Sequence, residues 1–130
     1  MLLSLDIIHL PAESLPLNEV IKHKGEKGLV GQSVHDLNGA QAAEMMGADY
    51  VIAGSVFPTE SHPGAKQLGL DGLRGICSGV KLPVLAIGGI TPKNVGEIEA
   101  CGAHGVVVVG CVYEADDLPT TINALLAPWK

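Results

Sequence analysis

Five short apolar runs, each closed by a glycine or a polar turn and followed by a helical pattern, constrain this chain more than any other feature. They cover residues 5–10, 29–34, 50–53, 84–87 and 106–109. The runs are nearly continuous rather than alternating, as parallel strands buried on both faces should be. Between them the pattern turns helical. Asp36 is placed to cap a helix reaching Met46, with Leu37, Ala40, Ala43 and Met46 along it. Residues 70–77 form a second helix, and residues 118–126 close the chain with another. Thr91 and Pro92 supply the N-cap and first position of a helix between these two. Repeated strand–helix units with short links require parallel strands and right-handed crossovers. That leaves an open doubly wound sheet or a (β/α) barrel.

Glycine placement decides between them. Gly47-Ala48-Asp49-Tyr50-Val51 and Gly102-Ala103-His104-Gly105-Val106 echo one another, each leading from a helix end into a strand through a left-handed glycine. At the opposite ends, the last two strands run into Gly88-Gly89 and Val109-Gly110. Barrel enzymes commonly bind phosphate with the loops after their last two strands and a short helix N-terminus. Glycine there lets backbone N–H groups approach phosphate oxygens with no Cβ in the way. No G-x-G-x-x-G lies at a strand–helix turn, so a dinucleotide site is not expected. The expected fold is α/β: a partial (β/α) TIM-type barrel of about five parallel strands, with a phosphate cradle at Gly88, Gly89, Val109 and Gly110.

At 130 residues, with 47% apolar and 17% charged, residues 1–130 should form one globular domain. Aromatics at 3% make its core aliphatic. A net charge of −6 argues against a nucleic-acid partner, which needs clustered Lys or Arg. The one basic run, Lys22-His23-Lys24, is offset by Glu26 and reads as a solvated face. The N-terminus lacks a basic n-region and is interrupted by Asp6, unlike a signal peptide. No uncharged apolar run approaches the ~20 residues that span a bilayer. Cys77, Cys101 and Cys111 are odd in number, lack metal spacing and fit buried thiols in a reducing compartment. The expectation is a cytoplasmic protein with no membrane and no nucleic-acid partner.

Several stretches together resemble thiamine phosphate synthase and its relative, the TenI-like thiazole tautomerase. They are Gly31-Gln32-Ser33-Val34-His35, Gly47-Ala48-Asp49-Tyr50, Gly54-Ser55-Val56-Phe57-Pro58-Thr59, Ala86-Ile87-Gly88-Gly89-Ile90-Thr91-Pro92 and residues 105–110. The resemblance runs from about Asp6 to Leu118. It implies that the five strands correspond to barrel strands 4–8. The first three, which in the synthase supply the groups that hold the pyrimidine diphosphate and magnesium, would then be absent. Ser33 matches the serine near the diphosphate, and Thr59, Glu60 and Ser61 match a stretch contacting the thiazole phosphate. Gly89, with Gly88 beside it, matches the phosphate-binding glycine; Val109-Gly110 matches a Val-Ser pair that binds through backbone. Three departures stand out. Ser14 replaces the magnesium-ligating aspartate and is a poor Mg²⁺ ligand. His62 replaces a lysine, and Ser55 stands where the tautomerase has its basic histidine.

Of the histidines, His62 in a loop after a strand suits proton transfer near neutral pH, with His35 the next candidate. His9 reads as a rim residue, His104 as structural at the opposite strand ends, and His23 as solvated; together they form no metal site. The leading expectation is a thiamine-biosynthesis protein of TenI type that binds a thiazole phosphate. The alternatives are thiamine phosphate synthase activity, with Mg²⁺ required only in that case, and a non-catalytic remnant that binds a phosphate ligand. A partial barrel leaves two strand edges and an apolar face open, so a homodimer or higher oligomer is expected.

Overall fold

The computed structural model describes residues 7–13, 16–24, 28–59, 64 and 66–130. Among them, five strands form one parallel sheet: β1 (Ile7–Leu10), β2 (Leu29–Val34), β3 (Tyr50–Ala53), β4 (Val84–Ile87) and β5 (Gly105–Val107). Helices α1 (Leu17–His23), α2 (Leu37–Met45), α3 (Gly69–Gly79) and α4 (Val95–Ala100) connect them in turn. A helical turn, α5 (Gly110–Tyr113), then α6 (Leu118–Leu126) and a 3₁₀ turn at Ala127–Trp129 follow β5. The spatial order of the strands is their chain order, β1-β2-β3-β4-β5. A doubly wound sheet reverses direction at a switch point and carries helices on both faces. With no reversal, successive right-handed crossovers place every connecting helix on the same face. The sheet is therefore an arc of a (β/α) barrel, as expected.

Alternation along the strands shows which face is covered. Val30, Val34, Val51, Ala53, Val84 and Ala86 are buried with Leu17, Ala40, Ala43, Leu73, Ile76 and Ile98 of the helices. Among the described residues no polar or charged residue is buried. On the concave face Ile52, Leu85 and Ile87 are only half-buried, while Ile7 and Leu29 are 58% and 45% exposed. The nearly continuous apolar runs pointed to burial on both faces. Among the described residues, helices cover only one, and the other is left partly open.

The repeated Gly-Ala motifs prove to be matching anchors at the N-terminal ends of strands. Gly47 and Gly102 have φ of 95° and 98°. Asp49 donates its N–H to the Val30 carbonyl at 2.8 Å and accepts the Val30 N–H on Oδ2 at 2.8 Å. His104 does the same for Val84: its N–H reaches the carbonyl at 2.8 Å, and its Nδ1 accepts the Val84 N–H at 3.3 Å. His104 is structural, as its position suggested.

Some boundaries differ from expectation. Asp36 caps α2 through Gly39 N–H at 2.7 Å, as anticipated. The Lys22-His23-Lys24 run lies at the end of α1, a helix the charge pattern concealed. α4 begins at Val95 behind Asn94, because Thr91 and Pro92 form a preceding turn: the Thr91 carbonyl accepts the N–H groups of Asn94 and Val95. β5 ends at Val107, so Val109 and Gly110 belong to the start of α5. Cys101 is buried as expected, but Cys77 and Cys111 are only half-buried. Among the described residues no helix is long and apolar enough to cross a membrane.

Candidate functional site

The C-terminal ends of the strands carry most of the anticipated site residues. After β4, Gly88 and Gly89 take φ of 110° and 65°, a region that side chains rarely enter. A Cβ on Gly88 would strike Ser55 Oγ and lie 2.8 Å from Val56 N. On Gly89 it would lie 2.5 Å from the Pro58 carbonyl oxygen and 2.8 Å from Phe57 Cβ. The two glycines thus let this loop nest against the loop after β3. Two hydrogen bonds fasten the pair: Val56 N–H to the Ile87 carbonyl at 2.9 Å and Phe57 N–H to the Gly88 carbonyl at 3.0 Å. A substituent at Gly89 would therefore meet the neighbouring loop before any ligand. Among the described residues, the N–H groups of Gly88, Gly89 and Ile90 make no backbone hydrogen bond outside the regular elements.

Val109 and Gly110 follow the adjacent strand β5, both exposed. The Val109 carbonyl accepts the N–H groups of Val112 and Tyr113, both at 3.2 Å. The first N–H groups of such a turn have no partner within it. Nothing lies within 4 Å of a Cβ built on Gly110, so a serine or alanine would fit there.

On the concave face the register assembles a polar cluster. His9 pairs with Gly31 across β1 and β2, and Gly31 with Tyr50 across β2 and β3. Because Gly31 has no side chain, the Tyr50 ring lies over it; a Cβ there would collide with the ring. The phenol thereby reaches His9 Nδ1 at 3.1 Å, with the rings stacked at 5.7 Å and 21°. His9 Nε2 meets Ser33 Oγ at 2.8 Å. Partial burial holds the imidazole below its ordinary range and the Tyr50 phenol above its own, so both are neutral at pH 7. His9, next to the C-terminal end of β1, is thus the centre of a Ser33–His9–Tyr50 chain. Hydrophobic periodicity could not show this, because the cluster depends on strand register.

The remaining candidates divide. His35 Nδ1 lies 2.9 Å from the Gly54 carbonyl. A carbonyl only accepts, so Nδ1 donates this bond. A cleft of ≈ 360 Å³ between α1 and α2 is bordered by Gln32, Ser33, His35 and Asp36, bringing Ser33 and His35 to one opening. Ser55 Oγ donates to the Phe57 carbonyl at 3.0 Å, which commits it to loop structure. Thr59 is half-buried in the loop after β3. Glu60, Ser61, His62 and Ser14 lie outside the described residues. Among the described residues no three His, Cys, Asp or Glu side chains gather as a metal site. Burial pushes the Cys77 and Cys111 thiols up, which makes them poor nucleophiles.

Known proteins are similar to this chain in sequence and fold. A family model described as thiamine monophosphate synthase matches residues 1–112. The chain is 40% identical over 120 residues to the thiamine-phosphate synthase of Pyrococcus horikoshii, covering 92% of this chain and 58% of that one. It superposes on thiamine phosphate pyrophosphorylase from Pyrococcus furiosus with a TM-score of 0.83 at 40% identity, over 95% of this chain and 58% of that one. A 3-hexulose-6-phosphate synthase, 21% identical with a TM-score of 0.69, shares the fold alone, over 95% of this chain and 61% of its own. The chain thus spans about 58% of the length of the thiamine-phosphate relatives it matches. It belongs to the thiamine monophosphate synthase family.

Proposed function

We propose that this chain forms the C-terminal rim of a thiamine-phosphate synthase site and holds the phosphate of a thiazole phosphate there on backbone amides. The supporting observation is that adjacent parallel strands β4 and β5 end side by side at Ile87 and Val107, with Gly88-Gly89 following the first directly and Val109-Gly110 opening the helical turn after the second. Neutral amides converging on an anion bind it without lysine. In the synthase reaction the bond from the pyrimidine methylene to the diphosphate oxygen breaks, a bond to the thiazole nitrogen forms, and pyrophosphate leaves. Ser33, anchored by His9 at 2.8 Å, would face the diphosphate.

The relatives favour the synthase over the tautomerase, since those at about 40% identity carry the synthase name. Ser55 points the same way: the tautomerase base is replaced by a hydroxyl bound to the Phe57 carbonyl. His35, held at the C-terminal end of β2 by the Gly54 carbonyl, gives the tautomerase its remaining support, as an imidazole on the same rim. For magnesium the described residues do not supply a fitting site. The expected aspartate position is Ser14, and the described carboxylates do not gather into a site.

The reaction is tested by supplying pyrimidine diphosphate and thiazole phosphate and measuring pyrophosphate and thiamine phosphate in equal amounts. Stoichiometric product supports the synthase. Thiazole phosphate binding without these products would instead favour the tautomerase or a non-catalytic remnant that binds a phosphate ligand.

A further inference from the structure

The side chain of Asn94 ties the two halves of the loop between β4 and α4 together. Its Oδ1 accepts the Thr91 N–H at 2.9 Å, and its Nδ2 donates to the Gly89 carbonyl at 3.0 Å. These partners fix the amide orientation, because an N–H only donates and a carbonyl only accepts. Asn94 occupies the N-cap position of α4, where asparagine ordinarily bonds the helix's own N–H groups. Here it makes no such bond and reaches back into the loop instead.

The consequence lies in the peptide planes. In a trans peptide the carbonyl and the following N–H point in opposite directions. The Gly88 carbonyl is held by Phe57 N–H at 3.0 Å, which turns the Gly89 N–H away from the β3 loop. The Gly89 carbonyl is held by Asn94, which turns the Ile90 N–H away from α4. Two successive amides are thereby aimed by anchors behind them, one from each neighbouring element. We propose that Asn94 is a positioning residue for anion binding, setting the direction of the Ile90 N–H so that the Gly89–Ile90 amides present a fixed pair of donors to a phosphate oxygen. This rests on the phosphate role proposed for the loop.

The test compares the wild-type chain with Asn94→Ala, Asn94→Ser and Asp117→Ala, using inorganic phosphate in isothermal titration and amide exchange at Thr91. Serine retains a short N-cap acceptor but cannot reach the Gly89 carbonyl, so it serves if the alanine variant does not melt cooperatively. Asp117 caps α6 through Thr120, and its variant controls for general destabilisation. Both Asn94 variants should weaken phosphate binding about tenfold or more, the loss expected when a donor to a charged group is misplaced. In Asn94→Ala the Thr91 amide should also exchange about tenfold faster. Asp117→Ala should change neither. Wild-type phosphate affinity in a folded Asn94 variant would overturn the positioning role while leaving the phosphate site standing. Failure of the wild type itself to bind phosphate would remove the site and this role together. Slow Thr91 exchange would then show only that the loop is ordered.

Discussion

His9 bonds through both ring nitrogens, to Tyr50 and to Ser33, while partial burial disfavours its charged form. A base whose folded pKa lies below its unfolded value binds fewer protons folded than unfolded. Its contribution to stability is therefore complete above the ordinary value of 6.5 and declines as pH falls through 6.5 toward the folded value. An NMR titration of His9 should have its midpoint below 6.5, and the melting temperature should drop less between pH 7.5 and 5.5 in His9→Gln than in wild type. A midpoint at or above 6.5 would contradict the desolvated environment. Gly31 supports the same cluster by leaving room for the Tyr50 ring. Gly31→Ala should cost about 1–3 kcal/mol in denaturant unfolding, the usual range for forcing an added methyl into packed space. In a Tyr50→Ala background most of that cost should vanish. An unchanged cost would show that the ring is not what the methyl meets.

Each element became legible or stayed hidden for a local reason. The Asp36 cap was readable because aspartate three residues before a helical N–H is a self-contained signal. Asp36→Ala should lower unfolding stability by about 1 kcal/mol. Ser33 and the strand-end glycines were readable because each sits in a contiguous motif. α1 was hidden: its N-cap position is Pro16, with no side-chain cap, and its last turn carries the basic residues Lys22 and His23. The start of α4 was displaced because Thr91 does accept an N–H two residues on, from Lys93 at 3.2 Å, as a cap would, but within a turn that precedes the helix. α5 is too short to show a period. The Ser33–His9–Tyr50 chain joins residues 24 and 41 positions apart. Only the register of three strands brings them together, and register is not written in any one strand.

The five described strands make an arc whose edges are β1 and β5 and whose concave face leaves Ile7 58% and Leu29 45% exposed. Closing a ring of this type takes eight strands. Each large apolar side chain left wet forgoes about 1.5–3 kcal/mol, against a typical domain stability of about 5–15 kcal/mol. Two copies packed through their open faces with two-fold symmetry would cover that surface. Analytical ultracentrifugation at micromolar concentration should therefore find a dimer or larger species, with melting that depends on concentration. A cooperatively folded 13.4 kDa monomer would contradict this. The phosphate cradle proposed at the ends of β4 and β5 is tested most directly by titrating the chain with thiazole phosphate, with unphosphorylated thiazole as the comparison. Saturable binding that requires the phosphate and is lost in Gly89→Val is expected, because the added side chain would push the loop off Phe57 and Pro58. Equal affinity for the two thiazoles, or unchanged thiazole phosphate affinity in a folded Gly89→Val, would contradict it.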